Sequence, residues 1–171
     1  MKKAFLALIL LLLSGIAAEA ANINKKYKTH LTEKGTIYFI MPQKMTKASG
    51  SNALKPMTFD ITLLDKSDTV LIRGTINSAE PLHNHEVTVK LGDGVQFKVS
   101  AKTLFRDIAK NGFNNRVEMK LHKRDFCKMY DSPKPYVLDF GQQNTFGYAA
   151  KKWDKHRKMT KAIYELMEIN Q

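Results

Sequence analysis

Cysteine is nearly absent: the 171 residues contain only Cys127. A lone thiol closes no intramolecular disulfide, and no CxxC or paired Cys/His spacing is present to hold zinc. Acids are scarce as well, with 16 Asp and Glu against 28 Lys and Arg, a formal charge of +12. A long apolar stretch is also missing. The longest, Ala4 to Leu13, runs for ten residues, whereas a spanning helix needs about 20. Catalytic signatures are absent too. Ser100 and Ser132 lack a nucleophile-elbow context such as GxSxG. Gly92-Asp-Gly94 opens no helix and so forms no phosphate cradle.

The apolar run follows Met1-Lys2-Lys3 and precedes Ala18-Glu19-Ala20. A cationic head, a short apolar core and small residues at a cleavage site describe a secretory leader of bacterial style. The expected organisation is therefore a signal peptide over 1–20, cut after Ala20, a mobile lead-in over 21–34, and one β-rich domain over 35–171. The destination is the periplasm or the exterior. Loss of Lys2, Lys3 and Glu19 leaves the exported chain near +11. Such an excess favours encounters with anionic lipid or glycan; the bland alternative is a soluble lysine-rich surface.

Met57 to Ile76 organises the rest of the chain. Met57, Phe59, Ile61 and Leu63 alternate with Thr58, Asp60 and Thr62, which puts the apolar set on one face of a strand. Asp65 to Asp68 turns the chain, and Val70, Ile72 and Ile76 restart the alternation. The same reading gives a strand at Thr36–Met41 ended by Pro42, and a loop from Gln43 to Pro56. A second hairpin runs from Val87 to Val99 through the Gly92-Asp-Gly94 turn. Ser100 is positioned to cap a helix over Ala101–Asn111, because Leu104, Phe105, Ile108 and Ala109 fall at helical spacing. Val117 to Leu121 is another strand, Asp125 to Tyr130 makes one or two helical turns with Cys127 buried on them, and Tyr136–Phe140 is the last strand.

From Tyr148 to Ile169 the period becomes helical, with Trp153, His156, Met159, Ile163 and Leu166 on one stripe. Alternation with one polar face means antiparallel pairing. The expected fold is mostly β, a β-sandwich or curved antiparallel sheet of about seven strands. A C-terminal amphipathic helix over 148–169 packs on it; an α+β arrangement is the alternative.

The candidate chemistry is thin. His83 and His85 would share a face on a strand, with His122 as a third metal ligand, but the Glu80-Pro81 break favours a solvated turn. No metal and no cofactor is expected. Asp60 and Asp139 are conceivable as an acid/base pair in space, although Asp60 belongs to the polar face of its strand. Lys151, Lys152, Lys155, Arg157, Lys158 and Lys161 flank the terminal stripe and are the candidate contacts to an anionic surface. Nucleic acid is disfavoured, because Trp153 lies on the apolar stripe and not among the charges. The expected function is a non-enzymatic exported binding or accessory module. Its rival is an envelope-surface protein docked through the basic helix, and the partner is an envelope protein or an anionic surface.

Overall fold

The computed structural model describes residues 23, 25–83 and 86–169. The expected leader and its cleavage site fall outside them. Nine strands are present: β1 (Tyr27–Thr32), β2 (Gly35–Lys47), β3 (Met57–Leu64), β4 (Thr69–Ser78), β5 (Glu86–Lys90), β6 (Gln96–Ala109), β7 (Gly112–His122), β8 (Val137–Asp139) and β9 (Thr145–Gly147). Two helices, α1 (Lys123–Asp131) and α2 (Ala150–Ile169), accompany the strands among the described residues.

The strands pair antiparallel in the order β1-β2-β3-β4-β7-β6-β5-β8-β9, and β9 returns to β2 through Thr46↔Gly147 and Lys47↔Phe146. That last pairing closes an eight-stranded barrel from β2 to β9, with β1 added beside the first half of β2. The mostly-β class with a terminal helix therefore holds. The open sandwich of about seven strands is corrected to a closed barrel. Closure removes the sheet edges that an open curved sheet would have to protect.

The central hairpin is where alternation places it. Met57, Phe59, Ile61 and Leu63 are fully buried, as are Val70, Ile72 and Ile76. Ile61 pairs with Ile72, which pairs with Met119, which pairs with Ala101, so one interior layer crosses four strands. Gly74 stands opposite Phe59, and a Cβ there would press on the Met57 sulfur at 2.9 Å.

Four expectations are revised. Strand β2 does not stop at Pro42, because a register shift between Ile40 and Gln43 takes the proline out of the ladder; a bulge is where a strand tolerates a residue without an N–H. The lead-in holds β1, paired from Tyr27↔Ile40 to Thr32↔Gly35. Residues 101–109 are strand, not helix. A second register shift between Thr103 and Phe105 inserts one residue into β6, and that insertion breaks the period of two into apparent helical spacing. The short β9 after β8 completes the barrel.

Antiparallel connectivity sorts the connections onto two ends of the barrel. One end collects 48–56, 79–85, the β6–β7 turn and 140–144; the other collects 65–68, 91–95, α1 and the start of α2. At the helical end the Lys123 N–H donates to the Asp68 carbonyl at 2.7 Å, and Lys123 Nζ donates to the Asp65 carbonyl at 2.9 Å. Helix α2 buries Trp153, His156, Thr160, Ile163 and Met167, a 3-4-3-4 spacing that turns one face inward. Leu166, expected on that face, is exposed, and Met159 is half-buried.

Candidate functional site

The loop end is drawn together by hydrogen bonds between segments distant in sequence. The Asn52 N–H donates to the Gln143 carbonyl and Asn52 Nδ2 donates to Gln143 Oε1, both at 2.8 Å. The Thr145 N–H donates to Ser51 Oγ at 3.1 Å. Over the barrel mouth, Leu82 folds inward: its N–H donates to Asn115 Oδ1 at 3.3 Å, and Arg106 Nη2 donates to its carbonyl at 2.6 Å.

Between these loops lies a cavity of about 310 Å³ lined by Asn52, Ala79, Glu80, Gln142, Gln143 and Asn144. Its wall is an unusual turn. Gly141, Gln142 and Gln143 have φ of 74°, 50° and 57°, three successive residues in the left-handed region. Glycine adopts that conformation freely, but each glutamine is held there at a cost on the order of 1–2 kcal/mol. Asn144 fixes the turn from below by donating through Nδ2 to the carbonyls of Gly141 and Gln142. Asn144 is buried, yet its Oδ1 has no hydrogen-bond partner. A buried acceptor left unpaired costs free energy unless a ligand or water satisfies it. The Glu80 carboxylate makes no ion pair among the described residues. The groove thus offers acceptors in want of donors, ringed by amides that both donate and accept.

The sequence-derived candidates fall elsewhere. His122 caps α1, its Nδ1 accepting the Arg124 N–H at 3.1 Å, and it sits at the helical end. His83 is exposed in the loop at the opposite end, and His85 lies outside the described residues. His83 and His122 are therefore not brought together, and no group of three or more His, Cys, Asp or Glu side chains suited to a metal exists among the described residues. Asp60 and Asp139 are separated too. Asp60 is buried against Arg116 rather than solvated, and Asp139 binds Lys90 at 2.8 Å. Burial opposes ionisation of Asp139, but the Lys90 ammonium and the Gly141 N–H outweigh it and hold the carboxyl below its ordinary range. Cys127 is half-buried on α1 and free.

Of the basic residues on α2, Arg157 and Lys158 pair with Asp154 at 3.2 and 2.9 Å, and Lys161 pairs with Asp131 at 2.6 Å. Lys151, Lys152 and Lys155 are exposed and make no ion pair among the described residues. A strongly perturbed titrating cluster lies inside the core at the helical end. His156 Nε2 is 3.2 Å from Tyr130 Oη, which is 3.2 Å from Tyr136 Oη. Burial pushes both phenols up and pushes His156 down to about 4. These rings pack against Phe59, Tyr148 and Trp153 and serve the fold.

Sequence reasoning missed the groove. The only signal for it was Gly141 followed by three amides between two apolar runs, which reads as ordinary loop composition.

The class defined by fold and site is a closed antiparallel barrel, capped by helices at one end and bearing a polar groove at the other. No protein-family model, curated protein or solved structure matches the chain.

Proposed function

We propose that the chain is an exported, non-enzymatic binding module that takes a small polar ligand in the groove at its loop end. The observation that carries this reading is the turn at Gly141–Gln143, held in the left-handed region around the unpartnered Asn144 Oδ1. Strain of this kind persists where surrounding structure over-determines it, and it collects at ligand clamps. Acceptors dominate the unsatisfied groups, so the ligand brings N–H or O–H donors, as a hydroxylated glycan end or an amine does. The groove holds one carboxylate with no titrating partner among its lining residues, which supports binding over acid/base catalysis.

The test is an NMR titration of isotope-labelled protein with neutral and amino-substituted oligosaccharides and short polyamines. Concerted shifts of the side-chain amides of Asn52, Gln142, Gln143 and Asn144, abolished by Glu80→Gln, support the proposal. Saturable binding that leaves those amides unmoved overturns it.

The second reading is an envelope-surface protein held by electrostatics. Lys151, Lys152 and Lys155, exposed and without ion pairs among the described residues, favour it. Their helix has already spent its apolar face on the barrel, so that contact would be charge alone, screened over about 8 Å at physiological salt.

A further inference from the structure

Beside the groove, the β6–β7 hairpin extends past the end of β5. Strand β5 pairs with β6 only from Ser100 back to Gln96 among the described residues, whereas β6 continues to Ala109 along β7. On this overhang Leu104, Phe105 and Ile108 are exposed, Phe105 by 55% and Ile108 by 88%. Leu54 from the 48–56 loop is exposed with them, placed by its contact to Gly112 at the hairpin turn. The register pairs Phe105 with Arg116 and Ile108 with Phe113 with no shift between them, so the two side chains stand on opposite faces and the overhang exposes large apolar groups on both.

Lys55, Lys102 and Lys110 lie near them, exposed and without ion pairs among the described residues, and Asp107 is the one acid from Ala101 to Val117. The register shift at Thr103/Phe105 and the charges at 102, 106 and 107 oppose pairing of a further strand to this edge. Apolar side chains at a tip with cations nearby match an interface whose surface is anionic and whose interior is hydrocarbon.

We infer that the β6–β7 hairpin and Leu54 form a membrane-docking surface for an anionic phospholipid bilayer, with Phe105 and Ile108 inserted below the headgroups and Lys55, Lys102 and Lys110 at headgroup level. This surface is independent of what the groove holds. It also differs from the basic helix, which lies at the opposite end of the barrel.

The test uses the full chain and vesicles of phosphatidylglycerol with phosphatidylethanolamine, compared with phosphatidylcholine alone. Because Ala4 to Leu13 is itself apolar, the readout must be local to the hairpin. Ile108→Trp supplies it: quenching of the new indole by bromine-labelled lipid, over the background of buried Trp153, reports insertion of that residue. Expected are strong quenching on anionic vesicles, none on phosphatidylcholine, and affinity that falls as salt is raised. Phe105→Ser combined with Ile108→Ser lowers the affinity at least about tenfold with an unchanged thermal transition, while Gln142→Ala in the groove leaves it intact. Vesicle binding with residue 108 unquenched would place the contact elsewhere and overturn the inference. Absence of binding, binding blind to lipid charge, or capture of a protein partner by the hairpin in place of lipid would overturn it as well.

Discussion

His156 shows how one buried side chain ties stability to pH. It stands on the inward face of α2 with Nδ1 unpartnered, and burial pushes its pKa down to about 4 from an ordinary 6.5. Between those values the unfolded chain binds the proton and the folded chain does not, so stability rises with pH. The contribution is fully present above about 6.5 and is lost as pH falls towards 4, an effect on the order of 3 kcal/mol. Urea titrations of the parent protein from pH 7 to 4.5 should show that fall, and His156→Phe should flatten it. The groove residues carry the opposite signature. Gln142→Gly removes a left-handed glutamine, so the folded state should gain up to about 1 kcal/mol after glycine's larger unfolded-state entropy is subtracted. A Tm that is unchanged or raised, together with weaker ligand binding, is the expected pair of results. A lowered Tm would show that the turn carries no strain at that residue.

At the scale of elements, strand β3 and helix α2 were legible because their periods are uninterrupted. Every apolar residue from Met57 to Leu63 that alternation assigned to the core is there. Phe59→Ala should cost about 3–5 kcal/mol; Thr58→Ala, half-buried on the other face, should stay within about 0.5 kcal/mol. Helix α2 was placed within two residues of its start, but Leu166 and Met167 exchange roles, since a 3.6-residue period cannot choose between neighbours at the edge of a stripe. Strand β6 was misread for a specific reason. One inserted residue near Leu104 shifts the side-chain phase, and single-sequence periodicity has no means to separate a bulged strand from a short helix. Strand β9 was invisible because three residues, Thr145–Gly147, are too few to show any period. Asp60 illustrates the remaining gap: its burial depends on Arg116, which lies 56 residues away.

Taken whole, the barrel divides its labour between its ends, and α2 is the piece on which that division can be tested. Its first turns carry Trp153 into the ring cluster formed with Tyr130, Tyr136 and Tyr148. Its last turns carry Met167 into the core and Glu168 to within 3.4 Å of Lys123, which in turn holds the β3–β4 turn. Trp153, Ile163 and Met167 together contribute roughly 5–9 kcal/mol by area burial, an amount comparable to a typical domain's entire net stability of about 5–15 kcal/mol. Removal of residues 150–171 should therefore abolish the cooperative thermal transition and leave the interior at Phe59 open to water. Replacement of Lys151, Lys152 and Lys155 by glutamine, which touches the same helix only on its solvent face, should leave the transition within a few tenths of a kcal/mol. If the truncated barrel still melted cooperatively near the parent Tm, the helix would be an appendage and its lysines the better candidates for a binding surface. If truncation unfolds the chain while the triple glutamine variant melts normally and keeps its ligand, stability resides at the helical end and recognition at the end bearing Gln142 and Gln143.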